Sequence, residues 1–120
     1  MSLYDDLGGS DAIGVALDRF YEKILADERV NGFFQHVRLD QLKPKQVAFL
    51  SMAFGGPNNY QGRDMRSAHT KTRAHGLNEP VFEIFMNHFR STLEELGVDD
   101  DKVGQVMTIA YSAKQDVLGN

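Results

Sequence analysis

A chain of 120 residues with 42% apolar side chains has enough material for one domain with a modest core and none for a second. It contains no cysteine, which excludes disulfide scaffolds, thiol nucleophiles, iron–sulfur clusters and cysteine-rich zinc sites. A formal charge of −4 offers no general attraction to a phosphate backbone, so nucleic acid is not an expected partner.

No stretch approaches the roughly 20 apolar residues of a membrane span, and the opening MSLYDDLGG has neither the basic leader nor the apolar run of a signal peptide. The expected setting is the cytoplasm, with no membrane partner. Apolar residues recur at helical spacing, and no run alternates as a half-buried strand would, so the expected class is all-α. Ser2 is placed to cap a very short first helix ending at Gly8-Gly9. Ser10 is placed to cap a second, in which Ile13, Leu17, Phe20, Tyr21 and Ile24 share a face.

Asp27 starts a short segment that runs into Gly32, Phe33 and Phe34. A longer helix then carries Val47, Phe49, Leu50, Ala53 and Phe54, with Pro44 expected in its first turn and Gly55-Gly56-Pro57 as its stop. Further on, Asn78 is the expected cap of a helix with Pro80 in its first turn. Phe82, Phe85, Phe89, Leu93 and Leu96 recur along it at steps of three and four, and Gly97 ends it. Asp99, Asp100 and Asp101 suit the positive end of a last helix whose apolar face is Val103, Val106, Met107, Ala110 and Val117. These two helices are expected to pair antiparallel.

The unusual part is residues 55–78, too poor in large apolar side chains to form a core of their own and therefore in need of something to pack against. Asp64 is placed to cap about two helical turns there, and Met65, Ala68 and His69 fall on one face. By itself one inward imidazole is more often a hydrogen-bonded structural histidine than a metal ligand, and no HExxH spacing is present. His36 and His88 read as ordinary polar residues.

The pieces LYDDLGG, RFYEKILADERVNGFF, KQVAFLSMAFGGPNNYQGRDMRSAH, TLEELGV and DVL stand in an order and spacing that resemble the group I truncated haemoglobins from Leu3 to Leu118. The glycines at 8–9, 55–56 and 76 resemble those that shape the shortened globin fold of that family. The resemblance implies two crossed antiparallel helix pairs enclosing a haem, with a long loop and short helix carrying the proximal histidine. A flat apolar macrocycle would supply the packing surface that the odd loop lacks. His69 matches the proximal iron ligand, and its second ring nitrogen would then donate to a backbone carbonyl.

On the other side of the iron, Tyr21 and Gln46 match distal positions whose donors slow the loss of a bound gas. Without the resemblance, Tyr21 reads as a core aromatic and Gln46 as a solvated amide. Phe20, Phe34, Phe49, Phe54, Met65 and Phe82 are implied as crevice wall, although each suits a haem-free core equally well. His75 is implied as a haem contact near a propionate. Arg66 is a propionate partner by the same reading, with Arg63, Lys71 and Arg73 as further choices, against the plain alternative of solvated charges.

Three departures from the common family pattern stand out. Leu42 replaces a frequent distal glutamine, thinning the donors above the iron. Ala113 replaces a histidine that in some relatives bonds covalently to a haem vinyl, so haem b is expected to be held non-covalently. Lys45 stands where relatives place a histidine or lysine able to take the sixth iron position. Because deprotonating an ordinary lysine at pH 7 costs about 4.6 kcal/mol, a propionate contact is the preferred role for Lys45 and iron ligation the lesser one.

The implied function is reversible binding of dioxygen, nitric oxide and carbon monoxide at a five-coordinate or weakly six-coordinate iron. Nitric oxide dioxygenation is the alternative, and it would need an external reductase because the chain shows no dinucleotide fingerprint. A haem-free sensor or interaction module on a globin scaffold is the alternative from a different class. The expected oligomeric state is a monomer or a weak oligomer.

Overall fold

The computed structural model describes residues 2–35, 37–57, 69, 73–74 and 76–119, and among these there is no β-strand. Helix α1 (Leu3–Leu7) opens with the expected cap: the Ser2 hydroxyl accepts from the Asp5 N–H at 3.2 Å, and the Asp5 carboxylate accepts from the Ser2 N–H at 3.5 Å. Gly8 closes it at φ 106°, a left-handed conformation that side chains resist.

Helix α2 (Gly9–Leu25) follows at once, which corrects the reading of Ser10 as its cap. With Gly8 as the sole linker, α1 folds back far enough for the Tyr4 hydroxyl to accept from the Ser10 N–H at 3.1 Å, and Ser10 already lies inside the helix. The expected face is buried at Ile13, Leu17, Tyr21 and Ile24, while Phe20 is half-buried. A 3₁₀ turn (Asn31–Phe34) leads to α3 (Leu39–Ala53).

Helix α3 starts five residues before Pro44, so the proline sits in its interior rather than in its first turn. Pro44 has no N–H to offer the Asp40 carbonyl, but both residues are exposed and water can serve that carbonyl. Near the end of α3, the Tyr4 N–H donates to the Phe54 carbonyl at 2.9 Å. A Cβ at Gly56 would stand 2.4 Å from the Tyr4 ring, so the stop after α3 is also a docking point for α1.

Helix α4 (Glu79–Glu95) is capped as expected, with the Asn78 side-chain oxygen accepting from the Val81 N–H at 3.1 Å and Pro80 in the first turn. Helix α5 (Asp100–Ser112) follows Asp99. The Tyr111 hydroxyl donates to Glu83 at 2.6 Å at one end of the pair, while Leu93 and Val103 share a core at the other, so α4 and α5 run antiparallel. The last helix is not continuous. The Ala113 N–H tightens onto the Ala110 carbonyl at 3.2 Å and α6 (Lys114–Leu118) begins afresh. That break lets Val117 pack on Leu77 and Phe82 rather than extend the face of α5.

Two apolar clusters result. The larger joins Ile13, Leu17 and Tyr21 of α2 to Phe54, to Phe89 and Leu93 of α4, and to Val103, Val106 and Met107 of α5. Each fully buried aliphatic here contributes roughly 1.5–3 kcal/mol relative to exposure. The smaller consists of Leu77, Phe82 and Val117, with half-buried Phe33, Phe85, Met86 and Tyr111 against it.

Candidate functional site

From Tyr21 of the larger cluster toward the smaller one, the chain gathers a set of aromatic rings, the rest of them half-buried. Tyr21, only 5% exposed, lies 6.2 Å from Phe20 and 6.1 Å from Phe34. Phe34 and Phe33 each meet Phe85 edge-on, at 6.1 Å and 5.8 Å. Rings from α2, the 3₁₀ turn and α4 thus form one continuous row. On α3, Val47, Ala48, Phe49 and Leu50 are all half-buried and Ser51 is the helix's one buried residue. Apolar surface left half-covered on several elements at once is what a flat apolar group would complete.

The polar content of this region is specific. The Tyr21 hydroxyl donates to Gln46 Oε1, joining α2 to α3 across 25 positions of sequence. Burial, reinforced by the negative charge of Asp18, pushes the phenol far above its ordinary pKa, so it remains a proton donor. With its oxygen engaged, the Gln46 amide keeps two N–H donors for another acceptor. Leu42, one turn earlier on α3, is half-buried and adds no donor. Lys45 is exposed.

His69 is half-buried and its carbonyl accepts from the Arg73 N–H at 2.9 Å. Among the described residues no group of three His, Asp or Glu side chains could hold a metal ion. An imidazole outside any such group suits a metal that arrives with its own ligand set, as haem iron does. The donor pair, the half-covered aromatic row and the imidazole therefore fit a haem, although Met65, Arg66 and His75 lie outside the described residues, as do Arg63, Lys71 and His36.

Other assignments separate on inspection. Phe54, 4% exposed, belongs to the larger core, and Phe82, 3% exposed, belongs to the smaller, edge-on to Tyr111 at 5.7 Å. Arg73 Nη1 donates to the carbonyls of Asp116 and Val117 at 3.2 Å each. His88 meets Asp27 at 2.7 Å, a tie between α4 and the turn after α2. Arg29 and His88 together hold the Asp27 carboxyl well below the usual carboxylate range, the Arg29 side chain most strongly. Sequence reasoning missed Phe33 as wall and counted Phe85 as ordinary helix core. The signal for Phe85 was its position one turn beyond Phe82, on the edge of the α4 stripe rather than its centre. A further apolar cavity of about 320 Å³ is lined by Ile13, Ala16, Leu50, Phe54, Phe89 and Val106 among others.

The helical order and this crevice are those of a small haem-binding fold, and comparison with known proteins makes the class definite. The sequence profile of the bacterial-like globins matches residues 2–118. The group 1 truncated hemoglobin GlbN of Synechocystis is 41% identical, with 98% of this chain and 97% of that protein covered. The 2/2 hemoglobin from Synechococcus sp. PCC 7002, in the cyanomet state with covalently attached heme, superimposes with a TM-score of 0.94 at 40% identity over all of both chains. The Fe(III) form of the truncated hemoglobin from Tetrahymena pyriformis gives 0.91 at 36% identity, again over all of both chains. The chain belongs to the group 1 truncated haemoglobins. Its fold is the truncated globin fold, its cofactor is haem, and its activity is haem-based gas binding. That result replaces the haem-free alternative.

Proposed function

We propose that this chain holds haem b without a covalent link, on His69, and reversibly binds dioxygen, nitric oxide and carbon monoxide beneath Tyr21 and Gln46. The observation that carries the reading is the hydrogen bond from the buried Tyr21 hydroxyl to Gln46 Oε1, set among half-buried rings. Bound haem supplies the iron position that a diatomic gas occupies. Tyr21 holds the Gln46 carbonyl, which leaves the amide N–H groups to donate toward that gas, while Leu42 keeps the rest of the roof apolar.

Non-covalent attachment is supported by Ala113, which stands at the turn between α5 and α6 beside the smaller cluster, and by the absence of any histidine after His88 in the sequence. The exposed Lys45 supports a propionate contact at the crevice rim in preference to iron ligation.

The test is reconstitution of the purified chain with haem, followed by ferrous ligand-binding spectra and acid–ketone extraction. A saturable Soret band, gas-dependent spectra and complete extraction are expected. Haem that stays with the protein on extraction would overturn the non-covalent claim, and gas-independent spectra would overturn the binding claim. Mixing the oxygenated protein with nitric oxide beside a reductase-containing extract decides whether binding extends to turnover.

A further inference from the structure

Arg73 stands four residues beyond His69, with its N–H on the His69 carbonyl at 2.9 Å. From there its guanidinium reaches across to α6, where Nη1 donates to the carbonyls of Asp116 and Val117 at 3.2 Å each. These carbonyls belong to the last turn of α6, the end of a helix whose carbonyls take partners from outside it. A guanidinium is the fitting group there, because cations are favoured at helix C-termini and its planar set of donors is preorganised.

The end of the chain is shaped around this side chain. Gly119 closes α6 in a left-handed conformation, and a Cβ there would stand 2.9 Å from Arg73 Nε and 3.0 Å from Cδ. Helix α6 is in turn seated on the fold by Val117, 7% exposed against Leu77 and Phe82, and by the Lys114–Glu79 ion pair at 3.0 Å. The chain of contacts thus runs from the His69 carbonyl through Arg73 to α6 and into the cluster beside the aromatic row.

We propose that Arg73 is a positioning residue, a strap that ties the His69 turn to α6 and thereby sets the tilt of the His69 imidazole toward the iron. This rests on the reading of His69 as the iron ligand. Groups that orient a metal-ligating histidine tune its strength as a ligand, and their loss typically weakens metal affinity or activity about 10- to 100-fold.

The experiment compares the wild type with Arg73→Ala, Arg73→Lys and Gly119→Ala as full-length chains. It reads the iron–histidine stretching band of the ferrous, ligand-free holoprotein, and amide hydrogen exchange across residues 114–119 with and without haem. Arg73→Ala should shift the band, speed haem loss about tenfold and raise exchange in α6 even without haem. Arg73→Lys should recover part of each effect. Gly119→Ala should imitate Arg73→Ala with the arginine still present, because the added methyl displaces it.

An unmoved band in all three variants overturns the strap. So does a change in haem loss without any change in α6 exchange, which would make Arg73 a propionate partner instead. A His69→Ala control keeps the two claims apart: if the band survives in that variant, the reading of His69 has failed, whereas α6 exchange still reports whether Arg73 holds the helix.

Discussion

The cluster around Leu17, Leu93 and Val106 and the region around Phe82 are built from the same kinds of side chain, yet they are finished differently. In the first, nine residues from α2, the end of α3, α4 and α5 are buried against one another, inside a rim of half-buried residues that includes Phe20, Val47 and Leu50. In the second, a few buried residues are ringed by Phe33, Phe85, Met86 and Tyr111, all half-buried. A cluster with a large buried centre stabilises the fold by itself, whereas one with few buried residues and many half-buried ones gains more from whatever covers it. The division teaches that the stability of this small globin is concentrated in α2, α4 and α5, while the aromatic row leaves apolar surface for a flat group to cover.

The sharpest way to break that comparison is to damage each side separately. Leu93→Ala should cost the haem-free protein about 3 kcal/mol, as a buried leucine does, while Phe85→Ala at the open wall should cost about 1 kcal/mol. Urea unfolding measures both, and haem-transfer rates should reverse the ranking. Equal effects on stability would mean that the open side is as structural as the core.

At the site itself, His69→Ala should lower haem affinity about 100-fold, followed by Soret titration, with little change in the unfolding of the haem-free chain. A smaller effect is expected above the iron. Tyr21→Phe and Gln46→Leu should each speed dioxygen escape about tenfold, but the double variant should fall short of the product, because both act through one hydrogen-bonded pair. Strictly multiplicative rates by flash photolysis would separate the two residues.

The smallest effect concerns the tie between α4 and the turn after α2. Asp27 is held below the ordinary carboxylate range, first by Arg29 and then by His88. A depressed folded-state pKa stabilises the fold above the unfolded value of about 3.9 and loses that contribution as the pH falls toward the folded value. The difference in urea midpoint between wild type and Asp27→Asn should therefore be full at pH 6 and shrink below about pH 4. A gap independent of pH would deny the ion pair its role.

Much of this molecule was legible before any coordinates. The Ser2 cap, the Asn78 cap followed by Pro80, the glycine stops and the buried stripes of α2 and α4 all obey rules that operate within a few residues. The nature of the cofactor was legible only through the order of motifs, since no local rule distinguishes an iron-ligating imidazole from any other inward histidine. Membership of the family now supports that inference, and the residues around the crevice fit it.

What tertiary structure alone decided lies where distant segments compete for the same group. The Tyr4 hydroxyl accepts from the Ser10 N–H because Gly8 lets α1 fold back, and Pro44 is tolerated inside α3 because it and Asp40, whose carbonyl its missing N–H would have served, are exposed. The last helix broke at Ala113 so that Val117 could reach Phe82. The bond from Tyr21 to Gln46 and the reach of Arg73 to Asp116 and Val117 span 25, 43 and 44 positions. A sequence states which donors and acceptors exist, but their pairing over such distances follows from how the helices pack.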